Sequence, residues 1–160
     1  MEGGIGAVKS GAVNARVEIE SREAALCILR RGDAFLVAEL EDAQTGMVFH
    51  RPPGGGVEPG ESPEQALRRE LQEELAIVVD RVEPLGSIDH VWYWKGREVR
   101  ERAWLFLADA ADNLQLSPTE LPVLMETNGE RIRTLWRPLR AQQLPVLCPQ
   151  GLEEVLERIS

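Results

Sequence analysis

Glu70, Glu73 and Glu74 stand at i, i+3 and i+4. On a helix turning 100° per residue they fall within a sector of about 100°. Like charges so placed repel by roughly 0.2–0.5 kcal/mol per pair on an isolated helix. A plain solvated face would intersperse lysine or arginine there, yet the sector otherwise holds only Ala66. The apolar stripe Leu67, Leu71 and Leu75 lies beside it, so the carboxylates border the buried side. Hard oxygen donors clustered at a partly buried edge suit Mg²⁺ or Mn²⁺. The alternative is an acidic surface helix with Arg69 paired to Glu73 at i, i+4, and the helix alone does not separate the two.

The elements that position these carboxylates are legible nearby. Ser62 is a good N-cap, Pro63 suits the first helical position, and Gln65 completes a capping box, so a helix is predicted from there to about Leu75. Ahead of it lies Arg51-Pro52-Pro53-Gly54-Gly55-Gly56, a shaped loop in which prolines fix φ and glycines release it. Such a loop lets a backbone carbonyl and amides approach a metal or phosphate without Cβ interference.

Counting from Gly55, five residues lead to Glu61, and seven more to Arg69-Glu70-Leu71. One residue then leads to Glu73-Glu74, and one more to Ala76-Ile77. This resembles the Nudix box, G-x5-E-x7-R-E-U-x-E-E-x-G-U with U aliphatic, at every defined position except the last glycine, where Ala76 stands. The family's glycine ends the helix with φ > 0, so alanine suggests a different exit, or a cost of about 1 kcal/mol if left-handed geometry is kept.

The resemblance implies a metal-dependent hydrolase that cleaves a nucleoside diphosphate linked to some group X. By position, Glu70, Glu73 and Glu74 would be metal ligands, with the Gly54 carbonyl an additional one, and Mg²⁺ or Mn²⁺ the cofactor. Arg69 would orient the carboxylates. Gly55 and Glu61 would support them near the helix start. The base that activates water varies in this family. Glu101, on a strand outside the box, is the leading candidate, ahead of Glu98, Glu120 and Glu126. Its alternative is an exposed strand glutamate beside Arg100 and Arg102. Should it lie on the wrong face, Glu70 inherits the base.

For the substrate, Trp92 and Trp94 alternate with His90, so both indoles face one side of a strand and could stack a nucleobase. The alternative is core or interface packing. Arg51 could hold a terminal phosphate, or be a surface arginine. Tyr93 points away from the two tryptophans on strand phase, while Trp104 and Trp136 read as packing residues. A nucleoside triphosphate or dinucleoside polyphosphate is favoured over a nucleotide sugar or ADP-ribose. A Nudix-fold module that senses nucleotides without cleaving them is the rival, disfavoured by the complete glutamate set.

The chain has 160 residues, 43% hydrophobic and 28% charged, with a net charge of −9. That fits one folded domain. The acidity argues against binding DNA or RNA duplexes. No run of 18 apolar residues is present, so no membrane helix is expected, and the N-terminus lacks a secretory h-region. A cytoplasmic setting follows, with Cys27 and Cys148 as buried reduced thiols, and a homodimer remains compatible. Residues 1–20 read as a glycine-rich tail with a weak edge strand from Val13 to Glu20; residues 21–160 read as the Nudix domain. Strands are expected at Ala24–Leu29, Ala34–Leu40, Met47–His50, Ser87–Trp94, Val99–Ala108 and Arg131–Arg137. A closing helix is expected at Leu152–Ile159. Residues 109–130 read as loop with one short helix. Strands on both sides of a central helix indicate an α/β class. The family resemblance implies an α/β/α sandwich with a mixed sheet.

Overall fold

The structure, a computed structural model, describes residues 18–113, 124–125, 131–141 and 144–160. Its longest strand, β1 (Glu18–Arg31), is followed by β2 (Ala34–Glu41), β3 (Val48–Arg51) and β4 (Gly54–Gly56). Helix α1 (Pro63–Leu75) comes next, then the hairpin β5 (Glu83–Trp94) and β6 (Arg97–Asp109), and the short α2 (Ala110–Asn113). After β7 (Leu124–Met125), β8 (Arg131–Ile132), β9 (Thr134–Pro138) and β10 (Val146–Leu147), helix α3 (Leu152–Ile159) closes the chain.

The main sheet runs β10-β3-β2-β1-β6-β5, with β4 added to β1 and β9 to β2. It is mixed: β1 runs parallel to β6 from Glu18↔Arg97 to Arg30↔Asp109, while β5 and β6 are antiparallel. β1 meets β2 only at Arg30↔Phe35 and Arg31↔Ala34, next to the turn. The two strands then separate, and β4 takes the place beside Ala24, Ala25 and Leu26. A cleft opens where they part.

Alternation along β1 and β2 divides the core into two layers. Ala25, Cys27 and Leu29 with Leu36 and Ala38 meet Ala66, Leu67, Leu71 and Leu75 of α1. Leu26 and Ile28 with Phe35 and Val37 meet Leu152, Val155 and Leu156 of α3. The result is the α/β/α sandwich with a mixed sheet that the sequence implied. Fully burying one such leucine contributes about 1.5–3 kcal/mol, so each helix is held chiefly by its apolar stripe.

Three readings of the sequence change. The residues assigned to an edge strand before position 21 begin, from Glu18, an interior strand with a parallel partner; residues 1–17 lie outside the described residues. The strands around Lys95-Gly96 extend back to Glu83 and on to Asp109. Ala76 does not take a different exit: it keeps left-handed geometry at φ 55°, ψ 34°. Its N–H donates to Gln72 at 3.0 Å, the bond of an αL cap, and the N–H of buried Ile77 donates to Leu71 at 3.2 Å.

Candidate active site

The glycine loop and the helix start form one hydrogen-bonded unit. Ser62 Oγ accepts from the Gln65 N–H at 3.1 Å, and Gln65 Oε1 accepts from the Ser62 N–H at 2.9 Å, the expected capping box. Gly54 has φ 144°, and a Cβ there would sit 2.0 Å from the Ala25 carbonyl oxygen, so no side chain fits. A Cβ on Gly55 would lie 2.4 Å from Glu70 Cδ. The glycine therefore makes the space in which the Glu70 carboxylate rests, and that contact ties loop to helix.

Arg69 gathers the acids. It donates to Glu61 at 2.7 and 2.9 Å, to Glu70 at 2.9 Å, to Glu73 at 3.2 Å and to the Gly56 carbonyl at 3.0 Å. Those hydrogen bonds bring the Glu61 carboxyl down to about 2. Glu70 moves the other way: burial raises it more than Arg69 lowers it. Glu70 and Glu74 line a cleft of about 380 Å³ together with Gly54, Gly55 and Gly56. Glu73, read from the box as a metal ligand, is 60% exposed, paired with Arg69, and does not line that cleft.

The same cleft is lined by the aromatic strand. Trp92 and Trp94 both line the cleft, with ring centroids 6.0 Å apart and planes at 27°. Phe49 meets each edge-on at 5.8 and 5.7 Å. Trp104 and Trp136, expected as packing residues, lie against the α1 core. Tyr93 is 61% exposed, as strand phase required.

Glu101, the leading candidate for the base, is not among the residues lining the cleft, although Arg97 and Val99 on the same face of β6 and its partners Arg22 and Arg51 are. Further along that face Ala103 and Leu105 pack in the α3 layer. The Glu101 side chain is fully buried, and its oxygens accept from Arg22 at 2.7 Å, Arg51 at 2.7 Å and His90 Nε2 at 2.8 Å. Burial alone would raise this carboxyl. The His90 hydrogen bond and the Arg51 and Arg22 charges outweigh that and hold it well below the carboxylate range. A carboxylate so held is a poor proton acceptor. Of the weaker candidates, Glu98 bonds Arg100 and Tyr93 at the surface, while Glu120 and Glu126 lie outside the described residues.

Arg51 lines the cleft, but it is buried, its guanidinium bonded to Glu101 and to Cys148 Sγ at 3.4 Å and seated 4.6 Å from the Trp92 ring centroid. Much of its charge is spent on Glu101. Two arginines that sequence reasoning did not single out, Arg22 and Arg97, line the same cleft. No local spacing signals them. They arrive through the parallel pairing of β1 with β6, where Arg22 lies opposite Glu101.

The donor set of carboxylates and glycine carbonyls is chemically right for a hard divalent cation. Among the described residues no three carboxylates, histidines or cysteines stand close enough to enclose one alone. A cation held here would be shared by Glu70, Glu74 and a loop carbonyl with the substrate's own phosphate oxygens, as Mg²⁺ commonly is.

Comparison with known proteins bears on this site. The family model described as NUDIX domain matches residues 20–147. An RNA pyrophosphohydrolase of Rhodopseudomonas palustris (strain BisB18) is 34% identical over 120 residues, 67% of this chain and 65% of the relative. This chain thus spans just under two thirds of that relative's length. An 8-oxo-dGTP diphosphatase of Haemophilus influenzae is 49% identical over 49 residues, 29% of this chain and 34% of the relative. Among solved structures, a MutT NUDIX hydrolase from Burkholderia pseudomallei shares the fold at TM-score 0.62 and 24% identity, covering 88% of this chain and 99% of the other.

Proposed function

The chain belongs to the Nudix hydrolase family, and from that premise we propose that it hydrolyses a phosphoanhydride bond in a nucleoside triphosphate. The observation that carries the reading is the shared cleft, lined by Glu70, Glu74 and the glycine loop together with Trp92, Trp94, Arg22 and Arg97. A pyrophosphate group fits between the acids and the arginines, and a nucleobase reaches the aromatic wall.

Glu70 and Glu74, with the Gly54 carbonyl, would hold Mg²⁺ or Mn²⁺. Such a cation, when bound, neutralises phosphate oxygens and acidifies the attacking water. Arg69 keeps Glu70 in register with Glu61 and the loop. Glu70, half-buried in the cleft, is the proton acceptor. Glu73 sits one step back, on the far side of Arg69. Arg22 and Arg97 bind phosphate oxygens, and Arg51 holds the floor of the cleft through Glu101. Trp92 or Trp94 stacks the base.

The names of the two relatives support a 5′-triphosphate substrate. The RNA pyrophosphohydrolase adds a second reading, the triphosphate end of an RNA. A panel separates these readings: the four nucleoside triphosphates, 8-oxo-dGTP, a dinucleoside tetraphosphate, ADP-ribose and a 5′-triphosphorylated oligonucleotide, each with Mg²⁺ and with Mn²⁺. Pyrophosphate or phosphate release from a triphosphate supports the proposal. Release from ADP-ribose alone would move it to the pyrophosphatase alternative, and no release from any would leave the sensing module.

A further inference from the structure

A second cavity, of about 590 Å³, lies between the segment leading into β3, the free edge strand β5, and the chain from β10 into α3. It shares Trp92 with the cleft but none of the cleft's acids, arginines or glycines. Its volume is within the usual range for small-ligand sites. Met47, Phe49, Val91, Val146 and Leu147 give it apolar walls. Three of them are unusually exposed for large apolar side chains: Met47 at 53%, Val91 at 44% and Val146 at 55%. Exposed apolar surface concentrated around one cavity marks a binding site more than a folding need.

The polar atoms inside specify the ligand. His90 lines the cavity with its side chain almost wholly buried, and its Nδ1 has no hydrogen-bond partner among the described residues. Trp92 also lines the cavity, and its buried Nε1 has no partner among the described residues either. Unmade hydrogen bonds on buried groups are costly, about 1–3 kcal/mol each, unless something satisfies them. The Glu101 carboxylate can only accept, so His90 Nε2 donates to it, which leaves Nδ1 for another partner. The indole N–H is a donor. A ligand that satisfies both offers an acceptor to the indole and a hydrogen-bonding atom to His90 Nδ1, on a flat body suited to the aromatic lining. Among the described residues no lysine or arginine lines the cavity, and Asp42 and Glu153 are acidic. Phosphate is unwelcome, whereas sugar hydroxyls could donate to a carboxylate.

We propose that this cavity is a binding site for an uncharged nucleoside, separate from the hydrolytic cleft. The heterocycle lies against Phe49 and Trp92, with hydrogen-bonding atoms for His90 Nδ1 and Trp92 Nε1. Adenosine, guanosine, cytidine and uridine are titrated by calorimetry into the wild-type chain, Val146→Trp and Met47→Arg. Both substitutions fall outside the cleft, at exposed positions that fill or charge the cavity. The proposal expects at least one nucleoside to bind the wild type and to lose about tenfold or more in affinity in either variant. It also expects saturating inorganic pyrophosphate not to displace the nucleoside, and both variants to hydrolyse the preferred nucleotide at the wild-type rate. Absence of binding at millimolar nucleoside overturns it. So does affinity unchanged in both variants, or displacement by pyrophosphate, which would put the nucleoside in the cleft. Because hydrolysis is read separately, loss of the pyrophosphohydrolase reading and loss of this one are distinct results.

Discussion

Replacing Gly55 by alanine tests whether the loop exists to seat one carboxylate. The added Cβ would lie 2.4 Å from Glu70 Cδ and 2.6–2.7 Å from its oxygens. Ordinary contact between carbon atoms begins near 3.5 Å, so the carboxylate must retreat by about 1 Å. The obstructing atoms are the far end of a flexible side chain. Gly55 does not need a positive φ, so the backbone tolerates alanine, and stability should move by less than about 1 kcal/mol. A misplacement of about 1 Å in a group that positions the reaction costs on the order of 10²-fold in rate. Gly55→Ala should therefore melt close to the wild type while kcat on the best triphosphate falls about a hundredfold. Gly54→Ala is the contrast, since its Cβ would strike the Ala25 backbone and should destabilise the fold outright. Wild-type kcat in a folded Gly55→Ala enzyme would refute the argument that Glu70 must occupy that place.

Other outcomes follow from the same geometry. Glu74→Gln should lower kcat by about 10² or more, and the exposed Glu73→Gln by less; steady-state kinetics with equal or reversed losses would move the ligand assignment. Glu101→Gln leaves Arg22 and Arg51 facing a neutral group and should cost about 3–5 kcal/mol in urea unfolding, as broken buried pairs do. The Glu101 carboxyl titrates below its ordinary value of 4.5 in the folded state. Its contribution is thus complete above that pH and is lost as pH falls through the lower folded-state value, so acid unfolding should begin at higher pH in the variant. Ala76→Gly should stabilise by about 1 kcal/mol, because Ala76 is held at φ 55°. Cys27, pushed up to about 12 by burial, should resist alkylation in the folded chain.

What the sequence disclosed follows the range of the interactions involved. Helix α1, its capping box and its apolar stripe are local features, and Ser62, Gln65, Leu67 and Leu71 announce them. The box spacing also named the acids and Arg69, because one helix and one loop carry them all. Strand phase put Trp92 and Trp94 on one face with Tyr93 on the other. The parallel pairing of β1 with β6 was not legible, since it joins residues some 79 positions apart, as Arg22 and Glu101 are. That pairing brings Arg22 to Glu101, while His90 comes from the β5–β6 hairpin and Arg51 from β3. Arg51 was read as a phosphate ligand on type alone; its burial against Glu101 and Trp92, which joins three separate strands, was not legible. Glu73 differs from Glu74 by one position in the box but by 100° around the helix, enough to turn it from the cleft to Arg69 and solvent.

The most direct measurement is single-turnover hydrolysis of the preferred nucleoside triphosphate with Mg²⁺ or Mn²⁺, comparing wild type with Glu74→Gln while far-ultraviolet circular dichroism verifies the fold. The account predicts pyrophosphate or phosphate release by the wild type, and a rate at least about a hundredfold lower in the folded variant. Equal rates in the two proteins, or no release by the wild type from any nucleotide of the panel, would contradict it.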